Sequence, residues 1–208
     1  MIGNCRQFTT LTCALLRSRG IPARARCGFA RYFEPGKYID HWVVEFLEAT
    51  DGRWVRFDSQ LDAVQQKLLK LAFDTEDLPP QEFLSAAEAW QRCRHGETDA
   101  SRFGILDMWG SWFVGNNVVR DLAALNKMEL LPWDTWGRMT VGSDPDAGGV
   151  RLLDEVAEVV VSERFAAVRN LYESDETLRV PDTVYDARFG EPYAVASRAA
   201  TADLPPNR

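Results

Sequence analysis

The apolar residues of segment 5–60 change their spacing once, from a helical to an alternating pattern. Between Cys5 and Arg19 they recur every three or four positions, which predicts a helix with one buried stripe. Gly20 and Pro22 then favour the end of that helix. Strands are predicted at 23–33, 41–49 and 54–60, with turns between them. One helix packed on an antiparallel sheet of three or more strands is an α+β arrangement.

The pattern beyond residue 62 is mainly helical. Helical spacing recurs in four segments, at 62–73, 78–94, 112–128 and 150–174. Such stripes need an apolar partner, so these helices are expected to pack on the first domain. The predicted organisation is a core at 1–62, a helical extension at 63–141, and a linker, one long helix and an extended tail at 142–208.

Composition limits the classes of partner. The chain has 208 residues and a formal net charge of −7, which argues against nucleic acid and against an anionic membrane surface. No apolar run approaches the roughly 18 residues of a membrane helix, and no secretory signal pattern is present, so a cytoplasmic location is expected. The sequence predicts no cofactor, and it leaves open whether the chain forms a homo-oligomer.

Three residues form a candidate nucleophilic site. Cys5 opens the first predicted helix, where unpaired backbone N–H groups favour a thiolate. A thiolate nucleophile requires an imidazole and a group that orients it, and only His41 and His95 can supply the imidazole. His41 begins the second predicted strand and Asp58 ends the third, so a hairpin can bring them together.

Motifs around these residues occur in a specific order. "GNCRQFTTLTCALLRSRGIPARARCGF", "DHWVVEF" and "GRWVRFDSQLD" resemble the transglutaminase-like superfamily, which has a papain-type Cys–His–Asp core. The resemblance covers about residues 2–62. It implies a cysteine-proteinase core with Cys5, His41 and Asp58 as the catalytic residues. The tryptophan-rich segment that follows looks like the extension of a bacterial branch of this superfamily. Members have a helical region before the cysteine, and the four residues ahead of Cys5 do not include one.

The function predicted from the resemblance is thiol-dependent hydrolysis or acyl transfer at an amide bond. The substrate would be a peptide or another amide-containing molecule, and His41 would act as base and then acid with Asp58 as its orienter. A catalytically inactive scaffold, binding proteins through its tryptophan-rich helical half, is the alternative. A metal site formed by Cys5, His41 and Asp58 is a third hypothesis.

Each of these residues also has a structural interpretation. Cys5 could be a packed thiol, as Cys13 and Cys27 are expected to be. Other groups also have two interpretations. The Cys93–His95 pair could form a separate dyad, and Asp40 or Asp62 could replace Asp58 as the orienter. The tryptophans 109, 112, 133 and 136 could form a ligand platform, but a helical core or a protein interface is the more frequent role of such residues. Arg24, Arg26 and Arg31 resemble a basic stripe, but their alternation in an acidic chain favours salt bridges.

Overall fold

The computed structural model describes residues 3–195 of the chain. Its helices are α1 (Cys5–Ser18), α2 (Ala63–Leu69), α3 (Ala86–Arg94), α4 (Ser111–Leu125), α5 (Ala147–Val161) and α6 (Phe165–Ser174). Its strands are β1 (Ala23–Ala30), β2 (Tyr38–Leu47), β3 (Trp54–Phe57), β4 (Phe83–Ser85), β5 (Phe103–Ile105), β6 (Met108–Trp109), β7 (Asp134–Thr135), β8 (Thr183–Asp186) and β9 (Glu191–Ala194). The predicted α+β class and the first four elements are confirmed. Within the described residues, no helix is both long and apolar enough to cross a membrane.

Strand β2 organises the main sheet. It pairs along one edge with β1, antiparallel, from Ala23↔Phe46 to Ala30↔Ile39. Its other edge is shared, because β5 pairs at Tyr38 and Ile39 while β3 pairs only at residues 44–47. The stretch 40–43 of that edge therefore has no strand beside it among the described residues. His41 lies in this gap between β5 and β3.

Helix α1 packs against the sheet beside the same gap. The buried hydroxyl of Thr9 donates to the main-chain carbonyl of Trp42 at 3.0 Å. The helix begins with a capping box, in which the Asn4 side chain accepts from the Gln7 N–H and the Gln7 side chain accepts from the Asn4 N–H. Gly20, with a φ of +77°, ends it in a left-handed conformation. The cap fixes the helix start at Cys5.

Helix α4 forms the centre of the second half. Every residue from Phe113 to Ala124 is buried, and the helix packs on β1, α3 and α5. It carries four buried polar side chains, which are Asn116, Asn117, Arg120 and Asp121. A helix buried on all sides needs partners for such groups. Several of those partners belong to β1 and β2, as described below.

Three secondary-structure predictions were wrong. The helix predicted at 150–174 is two helices, because Glu163 adopts a left-handed φ of +54° between α5 and α6. Phe83 lies on strand β4, where pairing with β1 overrides helical spacing. The tail after residue 174 contains β8 and β9, which form a small sheet with β7. The rest of that predicted tail, from residue 196, lies outside the described residues.

Candidate active site

The His41 ring is held by Asp58. The register Val44↔Phe57 puts Asp58 one residue past β3, beside the strand gap that contains His41. Nε2 of His41 lies 2.6 Å from Oδ2 of Asp58, and both side chains are buried. A carboxylate at this distance accepts the Nε2 proton, which fixes the tautomer of the neutral ring. Nδ1 is then the nitrogen left for a second partner.

Cys5 lies beside the same ring. Its charge and a hydrogen-bonding interaction of its side chain both act to raise the pKa of His41. It occupies the first position of α1, where no hydrogen bond within residues 3–195 uses its backbone N–H. Unlike Cys13 and Cys27, the residue is only half-buried. The structure thus brings together Cys5, His41 and Asp58.

The pKa of His41 reflects this arrangement. Burial alone would lower the pKa of His41, but the charges of Asp58 and Cys5 and hydrogen bonds with both raise it to about 10. Burial likewise acts to raise the pKa of Asp58, yet the His41 charge and the hydrogen bonds of the carboxylate lower it overall. An imidazolium beside an ionised carboxylate is therefore favoured at neutral pH.

Two further groups hold Asp58, and the sequence alone did not identify them. The Tyr32 hydroxyl donates to Oδ2 at 2.6 Å, and the Gln60 N–H donates to Oδ1 at 2.9 Å. The rings of Tyr32 and Phe33 approach His41 edge-on, with centroid distances of 6.0 and 4.8 Å. The "RYF" following β1 contained the only signal, a pair of aromatic residues at the end of a strand. These neighbours limit the positions that the side chains of His41 and Asp58 can adopt.

The other thiols are less suited to nucleophilic chemistry. Burial raises the pKa of Cys13 to about 11, and it raises the pKa of Cys27 well above its ordinary value. Burial, with a smaller effect from Asp99, raises the pKa of Cys93 to about 11. His95 is exposed at the end of α3, and its Nδ1 lies 3.8 Å from Glu97. Nothing in this region resembles the geometry at Cys5.

The two alternative orienters have other roles. Asp62 caps α2 by accepting from the Gln65 N–H at 2.8 Å. Asp40 is buried, and its Oδ1 accepts from Asn117 Nδ2 at 2.7 Å. Arg120 donates to Asn117 Oδ1 at 2.6 Å, so a polar chain connects α4 to the residue that precedes His41. Oδ2 of Asp40 has no hydrogen-bond partner in the described part of the chain.

We expect Asp40→Asn to stabilise the fold at pH 7.5. Burial raises the pKa of Asp40 to about 6, although Arg120, Asn117 and His41 oppose this effect. A carboxyl group with a raised folded-state pKa binds protons more readily when folded, so stability falls as the pH rises from about 4 to about 6 and stays reduced above that. The gain in unfolding free energy, on the order of 2–3 kcal/mol, should diminish as the pH falls from 7 to 4. Denaturant titration at each pH measures it, with Asp62→Asn as the control. A loss of stability at pH 7.5 would show that the charge of Asp40 is stabilising.

The predicted salt bridges exist for two of the three arginines. Glu45 is buried and accepts from Arg24, from Arg26 Nη1 at 3.0 Å and from Arg56 Nε at 2.7 Å. Asp121 of α4 binds Arg26 through two parallel hydrogen bonds of 3.0 and 2.8 Å. Arg31 is exposed and forms no ion pair among the described residues. The buried network connects β1, β2, β3 and α4 behind the candidate site.

The tryptophans belong mainly to the core, as the more frequent interpretation predicts. Trp136 is buried and donates to the Leu178 carbonyl, while Trp112 and Trp133 pack against the core formed by α3, α4 and α5. Trp109 instead donates to the Leu106 carbonyl in the β5–β6 turn.

Comparisons with known proteins agree with the motifs. Residues 2–59 match the family model of the transglutaminase-like superfamily, and this segment contains Cys5, His41 and Asp58. The match ends before the tryptophan-rich segment. Searches of curated proteins and of solved structures found no match. Among residues 3–195, no group of three or more histidine, cysteine, aspartate or glutamate side chains is arranged to hold a metal ion.

Proposed function

Because residues 2–59 match the family model of the transglutaminase-like superfamily, we propose that the protein is a thiol-dependent amide-bond hydrolase or acyltransferase. The observation that carries the proposal is the 2.6 Å contact of His41 with Asp58, together with the effect of the adjacent Cys5 side chain on the pKa of His41. A thiolate, a protonated imidazole and an orienting carboxylate in this order supply the groups that acyl transfer to sulfur requires.

The proposed reaction has two steps. The Cys5 thiolate attacks the amide carbonyl carbon, the C–N bond breaks, and the imidazolium of His41 gives its proton to the departing amine. The neutral imidazole then takes a proton from water or from a second amine, which attacks the thioester. The C–S bond breaks, and a carboxylic acid or a new amide leaves. Throughout, Asp58 holds Nε2 and stabilises the charged ring.

The backbone supports the oxyanion formed in each step. The N–H of Cys5 is free of other hydrogen bonds within the described residues, and it lies at the positive end of α1. A donor in this position can stabilise the negative oxygen of the tetrahedral intermediate, a contribution of about 2.7–4 kcal/mol in other enzymes.

The experiment that tests this proposal is site-resolved alkylation. Iodoacetamide at pH 7 should label Cys5 much faster than Cys93, the other partly exposed thiol, because Cys5 lies beside the His41 imidazole, whereas burial raises the pKa of Cys93. Labelled residues are identified by mass spectrometry after quenching at a series of times. Cys93→Ala is the matched control and should retain the fast phase, whereas Cys5→Ala should lose it. Equal rates at Cys5 and Cys93 would contradict the proposal and favour the scaffold alternative.

A further inference from the structure

A groove runs along β3, starting at the aspartate end of the candidate site. It encloses about 610 Å³, and Asp58 and Ser59 lie at one end while Glu48 and Arg53 lie at the other. Asp58 lies five residue steps after Arg53 along nearly extended chain, so the groove is roughly 16 Å long at about 3.3 Å per step. We call this feature the β3 groove. An extended segment of four or five residues fits this length.

The base of the β3 groove is apolar. Side chains from α1, β2 and β3 form it, namely Leu16, Phe46, Val55 and Phe57 together with Leu61. Phe46 and Phe57 meet edge to face at 5.9 Å. Near Asp58, the Ser59 hydroxyl is buried without a hydrogen-bond partner among residues 3–195. The base can therefore accept apolar side chains.

The rim of the β3 groove is strongly acidic. Arg53 is the one cationic residue that lines it within the described chain, and it already binds Asp77 through hydrogen bonds of 3.0 and 2.9 Å. Three carboxylates remain, Glu48, Asp74 and Glu76, and none of them has a cationic partner among residues 3–195. Asp74 and Glu76 are exposed, so they can pair with a ligand at little desolvation cost.

We propose that the β3 groove binds an extended segment of peptide in which apolar and positively charged side chains alternate. In an extended chain, successive side chains point to opposite sides, so apolar residues can face the base while lysine or arginine faces the rim. The inference rests on the proposed function in one respect, because it takes the segment to be the part of a substrate that lies beyond the amide bond at Cys5.

Binding is measured in the Cys5→Ala background, which prevents turnover. Fluorescence anisotropy follows a labelled hexapeptide of alternating lysine and leucine, and a glutamate–leucine hexapeptide serves as comparison. We expect the lysine peptide to bind at least about tenfold more tightly and to weaken as salt rises from 50 to 500 mM. Asp74→Asn/Glu76→Gln should weaken binding about fivefold or more.

The control variant carries the same change of net charge away from the groove. Asp107→Asn/Glu155→Gln neutralises two exposed carboxylates that have no ion pair within the described residues, and binding should stay within about twofold. In the unmodified protein the Glu76 N–H donates to Asp74 Oδ1 at 2.8 Å. Asparagine at position 74 keeps an oxygen that can accept this hydrogen bond, so the loop at the rim can keep its conformation. Unfolding midpoints of all variants verify this.

The outcomes separate this inference from the proposed function. Equal affinity for the two peptides, or equal weakening by the two double substitutions, would overturn the groove assignment even if Cys5 proves highly reactive. Conversely, selective binding of the lysine peptide with an unreactive Cys5 would retain the groove as a peptide site and reject the enzymatic proposal.

Discussion

Asp58→Asn is expected to slow alkylation of Cys5 at pH 7 by at least about tenfold and to reduce any amide-bond turnover by about 100-fold or more. Asparagine keeps an oxygen for the Gln60 N–H and a shape close to that of aspartate, so the fold should persist. It removes the charge that raises the pKa of His41. The ring then loses its proton at lower pH and stabilises the Cys5 thiolate less.

The rate of Cys5 alkylation is measured from pH 5 to 10 in samples quenched at a series of times. Asp62→Asn is the matched control. Asp62 caps α2 and does not bond to His41, and asparagine is an equally good cap, so the control should follow the unmodified protein. His41→Ala should have an effect at least as large as that of Asp58→Asn. Identical profiles for all four proteins would show that His41 and Asp58 do not activate Cys5.

The same substitution should change how stability depends on pH. The pKa of His41 is raised by folding, so its pairing with Asp58 stabilises the protein fully below about pH 6.5, and this contribution is lost as pH rises through about 10. The pKa of Asp58 is lowered, so its contribution is lost as the pH falls below its ordinary range near 4. The difference in unfolding free energy between the unmodified protein and Asp58→Asn should therefore be largest between about pH 4 and about pH 6.5.

The elements around the candidate site could be predicted from sequence because their signals are local. The cap at Asn4, the stripe of α1, the stop at Gly20 and the turn at Gly52 each lie within a few residues of the structure they determine. The contact between His41 and Asp58 could be anticipated for a related reason. A hairpin of fixed register relates residues only 17 positions apart.

The features that could not be predicted depend on distant residues or on very short segments. Asp40 meets Asn117 across 77 positions, and Arg26 meets Asp121 across 95. Strands as short as β6, with two residues, contain no alternation to recognise. The left-handed conformation of Glu163 has no local signal either, because glycine and asparagine are the residues that usually adopt it.

Glycine 28 shows how such a distant constraint is nevertheless present in the sequence. Gly28 pairs with His41 in the β1–β2 register, and β4 passes so close that a Cβ atom there would lie 2.1 Å from the Leu84 carbonyl oxygen. The glycine thus permits β4 to join the sheet beside β1. Its role becomes evident only once the partner strand, more than fifty residues away, is known.

Glu45→Gln is expected to lower the unfolding free energy by about 3–5 kcal/mol, because two buried guanidinium groups and one partly buried one lose their shared carboxylate. Three arginine charges hold the pKa of Glu45 well below its usual range in spite of burial. The stabilisation is present above the ordinary glutamate pKa and is lost as the pH falls through the folded-state value. Denaturant unfolding at pH 7 measures the change.

The control is Glu34→Gln, which removes an exposed pair with Lys37 at 2.7 Å and should cost less than about 1 kcal/mol. Arg56→Gln combined with Glu45→Gln should cost less than the sum of the two single changes, since both act on one network. If Glu45→Gln alone lowered the unfolding free energy by less than about 1 kcal/mol, the buried network would not stabilise the fold as predicted.

The position of Glu45 connects the stability of the fold to the reactivity of Cys5. It lies four residues after His41 on β2, and it binds Arg56, which lies two residues before Asp58 on β3. The pair Glu45↔Arg56 is itself a register pair, so the ion pair holds the two strands in the alignment that brings His41 to Asp58. Any Glu45→Gln protein that remains folded should therefore also alkylate more slowly at Cys5, whereas Glu34→Gln should not.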